Sequence, residues 1–223
     1  MKRTVYLLVV LSLFLAGCHE IKLTEEKSAT ELMVDGQKRL ESRDYRSAII
    51  AFQRVTDWYP FSEHVPAAEL QIAEAYYKLK QYDQAASAYE KFANLHPRNP
   101  STPYALYQVG RCFFDQMYTI DRDQENAKKA LLAFNIFLAR YPDNEYTETV
   151  RAHVKDCQRS ITAHELLVAK YYFKRKNYKA ALLRFQKILK DYPDTGVQHI
   201  ALQYVAQCET FLDAEAEASK AVP

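Results

Sequence analysis

One four-residue pattern recurs along the chain and restricts what it can fold into. Tyr45, Ala48, Phe52 and Pro60 stand at offsets of 0, 3, 7 and 15. The same offsets join Tyr82, Ala85, Tyr89 and Pro97, then Ala127, Ala130, Phe134 and Pro142, then Tyr178, Ala181, Phe185 and Pro193. Offsets of 3, 4 and 7 place ring, small residue and ring on one stripe of an α-helix. Proline, which has no N–H to give and clashes with the preceding turn, ends it. Tyr59, His96, Tyr141 and Tyr192 precede the four prolines and cover the corners. The pattern predicts four second helices of helical hairpins in an all-α chain.

The first helices index from the same landmarks. Ala73, Gly110 and Ala206 each lie 13 residues after a repeat proline, and Gly36 and Ala73 lie nine before an aromatic anchor. A small residue there lets the paired helices approach closely. Small, aromatic, Ala, aromatic and Pro in this order resemble the tetratricopeptide repeat, which implies a right-handed solenoid. The anchors are separated by 37, 45 and 51 residues. The second interval gains its extra length in a polar excursion at 115–125. In the third, Val150, Val154, Cys157, Ile161, Val168 and Tyr172 keep one helical phase, which predicts a single long helix over about 145–175. About five hairpins result if 197–211 pairs with the Ala- and Glu-rich tail at 214–223.

Composition narrows function by exclusion. Four glycines, at 17, 36, 110 and 196, are too few and too scattered for a dinucleotide fingerprint or a phosphate loop. The formal charge of +2 comes from Lys2 and Arg3, so the remainder is neutral and lacks the basic excess of a nucleic-acid binder.

Lys2 and Arg3 precede an apolar run over 5–15 that is too short to be a secure membrane span, and L-A-G-C follows at 15–18. This resembles a bacterial lipoprotein signal. It implies removal of 1–17, a diacylglycerol and an N-acyl chain on Cys18, and an anchored chain. His19 after the cysteine implies delivery to the outer membrane. Residues 18–28 read as a polar tether.

Cys112, Cys157 and Cys208 each stand 15 residues after a repeat proline, where Ala75 follows Pro60. That register makes them equivalent small packing residues; one pair could also form a disulfide, leaving a thiol over. The six histidines form no metal-ligand spacing, no catalytic constellation is evident, and neither a metal nor another cofactor is expected. His164 reads as a surface or interhelical hydrogen-bonding residue.

What remains is surface. Residues one and four past each small anchor, Gln37 and Leu40, Glu74 and Tyr77, Arg111 and Phe114, fall where a solenoid's first helices line a groove for an extended peptide. The same period would also let Leu40, Tyr77 and Phe114 merely bridge neighbouring repeats, and both readings stay open. Lys174, Arg175, Lys176 and Lys179 cluster at the fourth corner, either solvated or facing an acidic partner.

Specific stretches carry a closer resemblance. They are Y-P-F at 59–61, A-Y-Y at 75–77, H-P-R-N-P at 96–100, Y-A-L-Y-Q-V-G at 104–110, D-R-D at 121–123, Y-P-D-N-E-Y at 141–146, A-H-E-L at 163–166 and K-D-Y-P-D-T at 190–195. With the leader, they resemble the BamD family, the tetratricopeptide lipoproteins of the outer-membrane β-barrel assembly machinery. The resemblance implies a non-enzymatic scaffold that binds unfolded outer-membrane proteins through its N-terminal repeats, 29–114. It implies docking of 126–213 on the last periplasmic domain of the insertase BamA, beside accessory lipoproteins and outer-membrane lipid. The family's partner-facing arginine matches Arg184; from the residues alone, Arg184 is an exposed arginine outside the core. An adaptor for cell-wall or division proteins is the competing expectation. The stretch from Phe114 to Asp121 is shorter than in many relatives, which puts contacts made there in doubt.

Overall fold

The computed structural model describes residues 27–220. The leader, Cys18 and most of the expected tether lie outside the described residues. Among those described, nine helices follow one another: α1 Ala29–Glu41, α2 Tyr45–Trp58, α3 Val65–Lys78, α4 Tyr82–Leu95, α5 Thr102–Phe114, α6 Glu125–Arg140, α7 Thr147–Lys174, α8 Tyr178–Asp191 and α9 Gln198–Lys220. Packing runs between chain neighbours, with a slight contact between α5 and α7. Each hairpin therefore rests on the next, as in a solenoid.

The repeated pattern sits where its spacing requires. Ala48, Phe52, Ala85, Tyr89, Ala130, Phe134, Ala181 and Phe185 are all fully buried. Withdrawing each ring from water contributes about 1.5–3 kcal/mol. Against them lie the small residues of the first helices. A methyl on Gly36 would stand 2.5 Å from Phe52 Cε1, and one on Gly110 would overlap the Phe134 ring. Ala73 and Ala169, each nine residues before a tyrosine anchor, are fully buried.

The corners share one geometry. Tyr59, His96, Tyr141 and Tyr192 cap their helices with φ between −122° and −138° and ψ of 54–65°. The proline that follows each one drives it out of the α region. Five residues after the proline, Thr102 and Thr147 donate to the carbonyls of His96 and Tyr141 at 2.6 and 3.0 Å. Gln198 does the same for Tyr192 at 2.9 Å. Within hairpins the turns close through a left-handed residue two before the anchor: Arg43, Lys80 and Lys176, with φ of 59–62°. The third hairpin instead carries the polar excursion, which the structure places between Phe114 and Glu125.

One expectation is corrected. The C-terminal segment does not fold back on itself: Gln198–Lys220 is one continuous helix, so four hairpins are followed by a closing helix. Its acidic, Ala-rich second half has good helix propensity and no breaker to turn it. Ala206 is exposed, because no second helix approaches it. The long helix predicted over about 145–175 is α7, with 28 residues.

Cys112, Cys157 and Cys208 are free and fully buried, one in each of α5, α7 and α9, as Ala75 is in α3. Burial pushes the Cys112 and Cys157 thiols up to about 12 and raises that of Cys208, so all three stay protonated.

Candidate functional site

Two polar constellations stand out on this scaffold, one along the first helices of the middle hairpins and one between α7 and α8. The first begins with Tyr89. A tyrosine at this anchor position buries a hydroxyl that must find an acceptor. Glu74, one residue past Ala73, supplies it at 2.7 Å and also accepts from Tyr104 of α5 at 2.8 Å. Gln108 donates to the Tyr104 hydroxyl at 2.7 Å. Burial, followed by Glu74, pushes the Tyr104 phenol up to about 12.

One turn further along, Arg111 donates to the hydroxyls of Tyr107 at 3.0 Å and Tyr77 at 3.2 Å and to Asp115 at 3.1 Å. The Tyr77 hydroxyl also donates to Asp115. Phe114 packs against both Phe134 and His153, with ring centroids at 6.2 and 4.4 Å, and those two rings stack on each other at 5.3 Å. Burial, then Arg111, lowers the His153 pKa and keeps the imidazole neutral. Gln108 Oε1, Arg111 Nε and His153 Nε2 are buried without a partner.

Of the six groove candidates, Glu74, Tyr77, Arg111 and Phe114 therefore bridge α3, α4, α5, α6 and α7. Leu40 packs on the core of the first hairpin, and Gln37 is exposed, donating to Glu41 at 3.3 Å. The structure joins four of the six into one layer and leaves the other two apart from it.

The second constellation centres on Glu165, whose side chain is 8% exposed between α7 and α8. It accepts from Arg184 at 2.8 Å and Lys187 at 3.0 Å. Burial alone would raise its pKa; the hydrogen bonds from Lys187 and Arg184 overcome that and hold it below the ordinary value. Arg184 also lies over the Tyr172 ring at 5.5 Å. Its side chain is 37% exposed, outside the core, and is anchored by these two contacts. Two cations share one carboxylate, so the three-residue cluster carries a net positive charge. Lys174, Arg175, Lys176 and Lys179 are all exposed at the turn into α8, and among the described residues none forms an ion pair.

Glu165 and Lys187 were missed by the sequence reading, although a signal existed. Glu165 falls in the apolar phase of α7, between Ile161 and Val168, where a carboxylate needs a cation opposite it. A cleft of about 560 Å³ lies between Leu138, Arg151, Lys155 and the Asp194–Thr195 corner. His164 contacts the Ile120 carbonyl at 2.7 Å, which fastens the polar excursion to α7. No cluster of His, Cys, Asp or Glu suited to a metal ion occurs among the described residues, and none of their helices is long and apolar enough to cross a membrane.

A profile of the outer-membrane lipoprotein family YfiO matches residues 25–222. The chain belongs to this family. The outer membrane protein assembly factor BamD of Neisseria meningitidis is 30% identical over 86% of this chain and 79% of its own length. Its counterpart in Rickettsia prowazekii is 26% identical over 96% and 86%. The TPR2AB domain of yeast Sti1, solved in complex with pHSP90, superposes with a TM-score of 0.50 at 15% identity, covering 85% of this chain and 73% of that one. This last likeness establishes the tetratricopeptide fold. As a YfiO member, the chain is a lipid-anchored protein of the periplasmic face of the outer membrane.

Proposed function

We propose that the α7–α8 face docks an acidic surface on the last periplasmic domain of BamA, while the first helices of the N-terminal repeats engage unfolded β-barrel segments. The chain acts as a non-enzymatic scaffold of outer-membrane protein assembly, and its work is positioning. The observation that carries the docking face is Arg184, held ready by Glu165 and Tyr172 with its side chain still partly exposed. A side chain already fixed loses little freedom on meeting a carboxylate. The unpaired basic corner beside it favours the same partner sign. For substrate, the partly exposed Glu74, Tyr77 and Arg111 set carboxylate, hydroxyl and guanidinium beside Phe114 in one layer, a mixture suited to an extended backbone, with Gln37 and Leu40 separate from it on the first hairpin. Diacylglycerol and an N-acyl chain on Cys18 supply the anchor and concentrate the scaffold at the membrane. Accessory lipoproteins have the mixed-charge cleft by Asp194 available to them.

The test is recovery of partners from native envelopes with the full-length lipoprotein, read by mass spectrometry. BamA is expected with the unaltered chain and about tenfold less with Arg184→Gln, a loss of about 1.4 kcal/mol. Gln is preferred to Glu, which would set a second carboxylate against buried Glu165. Recovery of cell-wall or division proteins without BamA overturns the docking assignment in favour of an adaptor. Cys18→Ser is expected to release the chain from membranes with helicity unchanged; retention counts against the anchor.

A further inference from the structure

The four inter-hairpin corners are equivalent by register, yet one differs in chemistry. The residue after the repeat proline is Arg98, Asp143 or Asp194 at the last three corners and Phe61 at the first. Two residues before the proline stand Leu95, Arg140 and Asp191, and at the first corner Trp58. Phe61 is 101% exposed and Trp58 52%. The repeat itself does not require rings here, since the other corners form the same geometry without them.

This corner is also where the chain leaves toward Cys18. Tyr59, between the two rings, donates from its hydroxyl to the Lys27 carbonyl at 2.9 Å. Lys27 pairs with Asp35 at 3.2 Å, and a capping box between Ser28 and Glu31 fixes the start of α1. His64 at the start of α3 meets Thr30 at 3.1 Å. These contacts join the start of α1, the end of α2 and the start of α3 at one end of the first hairpin. Lys27 stands nine positions after Cys18, a reach of about 30 Å at most.

We propose that Trp58 and Phe61 form a lipid-contacting corner that rests in the headgroup region of the leaflet holding the anchor. The proposal builds on the lipidation of Cys18. Tryptophan and phenylalanine favour this depth, where a ring can leave water while the indole N–H remains solvated. Two rings alone bind a bilayer weakly, but the short tether keeps them beside it, so the anchor and the corner act as paired signals. Arg54 lies over the Trp58 ring at 5.4 Å and Lys27 is already paired with Asp35, while Asp57 and Glu63 stand beside the two rings in the sequence, so the corner carries no basic excess and contact depends on apolar burial and not on anionic lipid. Together, anchor and corner set the height and tilt of the first hairpin above the membrane.

Trp58 is the single tryptophan of the chain and reports directly. The full-length lipidated protein is reconstituted into phosphatidylcholine vesicles, with or without phosphatidylglycerol, and compared with the Cys18→Ser protein free in solution. Co-flotation reads the anchor; Trp58 emission, quenching by brominated acyl chains and shielding from aqueous iodide read the corner. The expected result is flotation with a blue shift, strong quenching by brominated lipid and several-fold less quenching by iodide, alike in both lipids. Phe61→Ser is expected to float equally and lose most of the brominated-lipid quenching. Flotation with Trp58 as open to iodide as in solution overturns the proposal and leaves the anchor standing. Failure to float overturns both. A shift produced by an unfolded barrel-protein segment without vesicles, and none produced by lipid, overturns it in favour of a protein site.

Discussion

Arg184 donates to Glu165 at 2.8 Å across the α7–α8 interface, so the arginine matched to the family's partner contact is also part of the fold. Removing the carboxylate by Glu165→Ala leaves Arg184 and Lys187 facing each other over an apolar floor. The expected cost is about 1–3 kcal/mol, below that of a fully buried pair because both cations are more than a third exposed. The folded pKa of Glu165 lies below its ordinary value of 4.5. Its contribution is therefore complete above that value and is lost as pH falls through the lower, folded one. Acid denaturation of Glu165→Gln beside the unaltered chain checks this: the variant should lose less stability below pH 4.5.

Lys80 sits at φ 59° in the turn between α3 and α4, a conformation that strains any residue carrying a Cβ. Lys80→Gly relieves the strain and is expected to stabilise by roughly 0.5–1 kcal/mol after its own entropic cost. Thermal unfolding should shift upward by about 2–4 °C per kcal/mol.

Two glycines separate steric from backbone requirements. Gly110→Ala drives a methyl into the Phe134 ring and is expected to cost about 1–3 kcal/mol. Gly196 has open space around its Cα but a φ of 83°, so Gly196→Ala costs about 1 kcal/mol through the backbone alone. Chemical denaturation of both variants, with Phe134→Leu added to the first, distinguishes the causes: the smaller side chain should rescue Gly110→Ala, and an unchanged deficit would exclude the clash.

The basic corner is expected to steer association and leave the fold alone. Lys174→Glu with Lys179→Glu should change stability by less than about 0.5 kcal/mol, since both side chains are exposed and unpaired among the described residues. Binding to the isolated insertase domain should slow and lose most of its salt dependence, measured by stopped-flow at two ionic strengths. An unchanged association rate would remove the corner from the interface.

The second helices were legible because one helical period and one proline recur together at Phe52, Tyr89, Phe134 and Phe185. The register of Cys112, Cys157 and Cys208 likewise disclosed their packing role. The C-terminal fold-back failed for want of a signal: nothing near Ala206 marks the absence of a partner helix. The polar layer was half visible. Spacing marks Glu74, Tyr77, Arg111 and Phe114, but the partners Tyr89 and Tyr104 lie 15 and 30 residues from Glu74, and Asp115 lies 38 from Tyr77. Glu165 and Arg184, 19 residues apart, meet only once two helices are docked. Local periodicity identifies which face a residue occupies and is silent about which residue stands opposite.

Packing between consecutive helices has a consequence for survival in an oxidising compartment. Each of the three thiols becomes inaccessible once its own helix meets its neighbours, with no need to await a distant strand. Helical units with such local contacts assemble in about microseconds to milliseconds, whereas disulfide formation takes seconds or longer. Folding thus outruns oxidation, and a chain with an odd number of interior cysteines can mature without cross-linking and without a dedicated isomerase to repair mistakes.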